Sequence, residues 1–179
     1  MNSVTQYEEK DSHKNLDGTA AVSKIKELAG QAMICFFCTE TADGRFKGAR
    51  PMSILKTDEQ GILWFVSPKD SHKNVEIMES PSVKLYFHGS AHSDLMYLSA
   101  KAYIHTDPGK IKDIWNPLLK TWFTEGEEDP RISIIRVEPE EGYYWDSKSG
   151  NFVATLKMFA GAITGKTIDD SVEGSLDLS

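Results

Sequence analysis

The chain has 179 residues, 40% of them hydrophobic and 26% charged, and a formal net charge of −7. That length suits one domain with a substantial core, and the acidic balance argues against a nucleic-acid surface, which needs clustered positive charge. No apolar run has the length of a membrane span, and the first ten residues lack the apolar centre of a secretory signal, so a cytoplasmic protein without a membrane partner is expected.

Residues 1–18 read as a polar, flexible leader, 19–148 as the folded domain, and 149–179 as a helix followed by an acidic tail. Within the domain, Ala20 to Ala29 predicts a helix, with Val22, Ile25, Leu28 and Ala29 at helical spacing and Gly30 ending it. Ala32 to Glu40 predicts a strand, and the Asp43-Gly44 turn leads to a second one, Gly48 to Thr57. Pro51 lies inside that second strand and cannot donate to a ladder, so the strand must be at an edge, bulged or opened there. After Asp58 to Gly61 comes a third strand, Ile62 to Ser67, and then a helix starting near His72 with Ser71 as its cap.

Val83 to His88 alternates, with Val83, Leu85 and Phe87 on one face. Leu95 to Thr106 predicts a long strand, and Asp107-Pro108 a helix start. Ile111, Ile114, Trp115, Leu118, Leu119, Trp122 and Phe123 form an apolar stripe, which Pro117 should kink or divide into two short helices. Arg131 to Asp146 is a strand interrupted near Pro139 to Gly142; Asn151 to Thr164 has the pattern of a terminal helix, and the acidic last dozen residues are expected to be disordered. Short strands joined by tight turns, with few helices, indicate a mainly β fold: an antiparallel sheet closed into a small barrel.

Cys35 and Cys38 lie three apart on a strand, so their thiols point to opposite faces and read as small apolar fillers. His88, His92 and His105 lack partners at ligand spacing, and no metal is expected.

The stretch with chemical content is Ser67 to Asn74. Two hydroxyls, Lys69, His72, Lys73 and the free N–H groups of a helix start converge there, a combination that attracts phosphate. The pentapeptide Asp70 to Asn74 also occurs at Asp11 to Asn15, where no strand precedes it, so the signal is the strand-to-helix context and not the five residues. If the second and third strands pair across Asp58 to Gly61, Arg50 comes opposite Ser67 and adds a guanidinium. Pro51 would leave neighbouring backbone groups free for a flat, hydrogen-bonding ligand.

Arg50-Pro51-Met52, the strand Leu63 to Ser67 and Asp70-Ser71-His72-Lys73, in that order, resemble the FMN-binding split-barrel superfamily of pyridoxamine phosphate oxidase-like proteins. Asp107-Pro108, Ile114 to Pro117, Trp122-Phe123, Arg136 to Pro139 and Tyr144-Trp145 are similar to its general stress protein branch. The resemblance implies an antiparallel split β-barrel of about six strands with peripheral helices, and a homodimer with FMN at the subunit interface. It implies that Arg50, Ser67, Ser71, His72 and Lys73 surround the flavin phosphate and ribityl chain. Met52 and Ser53 would lie along the isoalloxazine, Pro51 and Val66 would complete the set, and Trp145 would reach the flavin from the other subunit. The segment Asp146 to Phe152 lacks the arginine and histidine that hold the pyridoxal substrate in the oxidases, and Leu55 stands where those enzymes carry a lysine, with Lys56 adjacent. Vitamin B6 oxidation is therefore not expected. Three readings remain: an FMN-dependent oxidoreductase exchanging electrons with an unknown small molecule, a non-catalytic flavin carrier or sensor, or a split barrel that no longer binds flavin.

Overall fold

The computed structural model describes residues 13–89, 94–147 and 171–178. In chain order its elements are β1 (Leu16–Asp17), α1 (Gly18–Ala32), β2 (Ile34–Glu40), β3 (Phe46–Ser53), β4 (Lys56–Thr57), β5 (Leu63–Pro68) and α2 (His72–Glu79). They continue with β6 (Ser82–His88), β7 (Leu95–His105), α3 (Pro108–Ile114), two 3₁₀ turns (Pro117–Thr121 and Gly126–Glu128), β8 (Ile132–Ser147) and β9 (Ser171–Asp177). The fold is a mainly antiparallel split barrel with peripheral helices, and the six strands expected from the sequence are β2, β3, β5, β6, β7 and β8.

Strand β8 is the spine. It pairs with β7 along nearly its whole length, with β5 through Ile132 to Val137, and with β9 through Glu141 to Ser147. From β7 the sheet runs through β6 and β2 to β3, which ends it. Pro51 thus sits on an edge strand, where its missing N–H leaves no gap in an interior ladder. The interruption expected near Pro139 to Gly142 is only a shift of register opposite Ser99 and Ala100; the strand itself runs on.

The alternating faces fill one core. Cys35 and Phe37 of β2, Val83, Leu85 and Phe87 of β6, and Met96 and Leu98 of β7 meet Ile25 and Leu28 of α1 there. Cys35 and Cys38 are buried free thiols, and burial pushes Cys35 up to about 12, far from thiolate chemistry at neutral pH. A second, smaller core forms where Trp64, Ile132 and Ile134 meet Ile111, Ile114, Leu119 and Phe123. The apolar stripe beyond Asp107 does not stay on one face. Pro117 has no N–H to continue α3, the chain restarts as a 3₁₀ turn with Asn116 as cap, and the changed phase leaves Leu118 and Trp122 exposed.

Three expectations need correction. The strand read as Gly48 to Thr57 is two strands: β3 pairs only with β2, and just Lys56 and Thr57 pair with β5. The acidic tail is ordered at its end as β9, with Leu176 buried against the core. The end of the leader is held as well: β1 runs parallel to β9, Lys14 N–H donates to Glu173 O at 2.7 Å, and Tyr144 Oη donates to Lys14 O at 2.7 Å. The terminal helix read over Asn151 to Thr164 lies outside the described residues.

Gly174 is the residue that lets the leader approach. A Cβ there would collide with the carbonyl of Lys14. Gly174→Ala is therefore expected to expel the leader strand and lower stability by roughly 1–3 kcal/mol, the usual range for overpacking. Thermal melts alongside amide exchange at Lys14 would reveal it, and an unchanged Tm with protected Lys14 would contradict the close approach.

Candidate functional site

The candidate site is the seam of the barrel. Because β3 stops at Ser53 and does not pair with β5, a gap opens between them, and the chain crosses it through Ile54 and Leu55. A cleft of about 240 Å³ fills the gap. Its floor is the Pro51–Met52–Ser53 edge of β3, its far side Val66 and Pro68 of β5, and its outer wall Leu119, Trp122 and Phe123. The second core fixes that wall by burying Leu119 and Phe123, while Trp122 stays 63% exposed.

Lys73 forms the end of the cleft. Its side chain is buried, and Nζ donates to Ser67 Oγ at 2.6 Å. Ser67 Oγ is in turn 2.9 Å from Ser71 Oγ, the helix cap that accepts from Asn74 N–H. Asn74 anchors this start from below, donating to Ser133 Oγ at 2.8 Å, while Ser133 Oγ donates to Ser67 O at 2.8 Å. Lys73 makes no ion pair among the described residues. Burial, and then the nearby Arg50 guanidinium, bring its pKa down to about 8, against which Glu76 pushes upward. A buried ammonium without a carboxylate is costly, and it lies at the end of a cleft, beside two hydroxyls and a helix N-terminus.

Arg50 arrives differently from the sequence expectation. It lies opposite Phe37 in the β2–β3 ladder and not opposite Ser67. Its Nη1 donates to Glu76 Oε2 at 2.7 Å and to Thr39 Oγ1 at 3.2 Å, on the flank of α2. Its charge is felt by Lys73, but it does not line the cleft. His72 is exposed and does not line the cleft either. Pro51, Met52, Ser53, Val66 and Lys73 all do, with Ser67 and Ser71 behind the lysine.

Trp145 is on another surface. Phe36, Tyr86, Tyr97 and Tyr143 stand in register across β2, β6, β7 and β8, with Trp145 beside Tyr143 at a ring distance of 4.7 Å. Phe36, Tyr86, Leu95 and Trp145 are all exposed, and an apolar groove of about 510 Å³ runs among them.

The sequence does not mark Leu119, Trp122 and Phe123 as site residues, because their helical spacing already explains them as packing residues. Pro117 was the available signal, since it forces a change of face. Leu55 lines the cleft, whereas Lys56 pairs with Asp113 outside it at 3.1 Å, so the adjacent lysine does not replace the missing cation. Among the described residues no helix is long and apolar enough to cross a membrane.

Comparison with known proteins places these features in a group. The family model described as pyridoxamine 5'-phosphate oxidase like matches residues 8–169. Protein bli-3 of Neurospora crassa is 30% identical over 127 residues, covering 66% of this chain and 61% of that protein. General stress protein 26 of Bacillus subtilis is 32% identical over 86 residues, covering 44% of this chain and 58% of that protein. The chain therefore spans about three fifths of the length of these curated relatives. The crystal structure of a general stress FMN/FAD binding protein from Xanthomonas citri superposes with a TM-score of 0.60 at 22% identity, over 73% of this chain and 91% of that one, and so shares the fold.

Proposed function

The chain belongs to the pyridoxamine 5'-phosphate oxidase-like family, and from that premise we propose that it binds FMN at the β3–β5 seam and serves as a cytoplasmic, flavin-dependent oxidoreductase of the general stress type. The observation that carries this reading is Lys73: a buried cation that makes no ion pair among the described residues, in the lining of the cleft, hydrogen-bonded to Ser67 and next to the Ser71 cap. A terminal phosphate fits there. It would receive the ammonium, the two hydroxyls and the first N–H groups of α2. The edge of β3 at Met52 and Ser53 offers backbone groups to a flat ring, and Leu55, Leu119, Trp122 and Phe123 offer apolar walls. FMN bound there supplies the electron or hydride chemistry, and the chain's own residues hold and orient it. Leu55 and the apolar wall provide no clamp for a charged pyridoxal substrate, which favours a different, uncharged electron acceptor.

We further propose that the working form is a homodimer joined across the face of Phe36, Tyr86 and Trp145. A cleft of about 240 Å³ is smaller than the ~300–1,000 Å³ typical of a complete ligand site, so one protomer holds only part of the flavin. Contiguous exposed aromatics are a common mark of an interface. Two measurements test this. Protein incubated with FMN and desalted should remain yellow and reduce a quinone or dye with NADH or NADPH; colourless protein would refute the assignment, and tight FMN binding without turnover across a panel of reductants would indicate a carrier or sensor. Phe36→Asp should convert dimer to monomer in light scattering and release the flavin, whereas a variant that stays dimeric would move the interface elsewhere.

A further inference from the structure

Glu76 follows Lys73 by three residues on α2, so the two share one side of the helix. Its Oε2 accepts from Arg50 Nη1 at 2.7 Å and from Thr39 Oγ1 at 2.7 Å, and Arg50 Nη1 also reaches Thr39 Oγ1 at 3.2 Å. The triangle is rigidly backed. Thr39 is fully buried, and the Glu76 and Arg50 side chains are only 20% and 28% exposed. Glu76 is ionised, because the hydrogen bond from Arg50 holds its carboxyl below the usual range. Both members act on Lys73, Arg50 lowering its proton affinity and Glu76 raising it. Two cations therefore stand near one another, Lys73 in the lining of the cleft and Arg50 outside it, with a carboxylate fixed against Arg50.

We propose that Glu76 is a specificity-determining residue that limits the affinity of the cleft for a phosphorylated ligand. It pins Arg50 and cancels one of the two positive charges, so the phosphate is attracted by one net charge and the ligand remains exchangeable. This inference rests on the FMN reading above and adds a residue that contacts the flavin through neither ring nor phosphate. A neighbouring carboxylate provides the internal comparison: Glu79 pairs with Lys47 at the exposed end of α2, away from Lys73.

The test is Glu76→Gln, which keeps an oxygen acceptor for Arg50 and Thr39 but removes the charge. Flavin fluorescence titration should show FMN binding at least fivefold tighter than in the wild type, riboflavin within twofold, and Glu79→Gln without effect. Unchanged or weaker FMN binding, or an equal shift for both flavins, would overturn the proposal. Should Glu76→Gln alone fail to fold, the double variant Arg50→Gln/Glu76→Gln decides, since removing both members of an ion pair is tolerated better than removing one. It restores the net charge, so its FMN affinity should fall within about twofold of the wild type; an affinity as low as that of Arg50→Gln alone would refute charge cancellation. Failure of the FMN reading itself looks different: wild-type protein would then hold FMN no better than riboflavin.

Discussion

Lys73→Met is expected to weaken FMN binding by about 10- to 150-fold and to leave riboflavin within twofold, because only FMN carries the phosphate. The range corresponds to the ~1.5–3 kcal/mol of one charge-assisted hydrogen bond in a buried site. Methionine keeps most of the volume of the lysine stem, so Ser67 and Ser71 can still share their 2.9 Å contact. The same substitution should not harm the ligand-free fold. Lys73 is buried with no carboxylate of its own and lies near Arg50, so the wild-type chain carries an uncompensated charge that methionine removes. A variant that melts at the same or a higher temperature, yet has lost its preference for FMN over riboflavin, carries the signature of a residue kept for binding at the expense of stability. Paired titrations of FMN and riboflavin, with a thermal melt of each apoprotein, provide the measurement. Equal loss for the two flavins would place the phosphate elsewhere.

Local pattern was enough to read most of the barrel. Val83 to His88 alternates because one face of β6 meets the core and the other does not, and that rule needs no knowledge of partners. The Ser71 cap and the Pro51 edge strand were legible for the same reason. What was not legible depends on which strands meet. Nothing between Gly48 and Thr57 announces that pairing with β5 fails beyond Lys56, although that failure opens the cleft and leaves Arg50 in register with Phe37 and not with Ser67. The duplicated pentapeptide shows the limit most directly. His72, Lys73 and Asn74 are helical after β5, where Ser71 caps them and Asn74 is buried against Ser133. His13, Lys14 and Asn15 are not helical: His13 bridges to Glu173, Lys14 hydrogen-bonds to Glu173, and Asn15 Oδ1 accepts from Ser175 N–H. Identical residues take two conformations because tertiary partners outweigh propensities of a few tenths of a kcal/mol per residue. Strand β9 was hidden likewise, since Ser171 to Asp177 has only Val172 and Leu176 as apolar residues and its pairing to β8 uses backbone groups that every sequence possesses.

The affinity for FMN should fall as pH rises above about 8, by up to about tenfold per pH unit, and riboflavin should show no such decline. The slope follows from Lys73, whose pKa in the ligand-free chain is brought to about 8, first by burial and then by Arg50, against the opposing carboxylate of Glu76. A phosphate against the ammonium favours its charged form and raises that pKa in the complex. Between the two values, binding must take up a proton, so each unit of pH costs the complex up to a factor of ten. The ligand contributes no slope of its own there, because a phosphomonoester is already a dianion above a second pKa near 6. The sign is opposite for the empty protein. Its folded lysine releases a proton before the unfolded one does, whose value is 10.5. The unfolded chain therefore holds more protons between about 8 and 10.5, and Lys73 makes the ligand-free fold more stable as pH rises through that window. Titrations of both flavins from pH 7 to 9.5, repeated on Lys73→Met, separate this from any effect of the ring. The wild-type FMN curve should bend near 8 and the variant's should stay flat. A bend that persists in Lys73→Met would assign the proton to another group, and FMN affinity that increased with pH would remove the ammonium from the phosphate site.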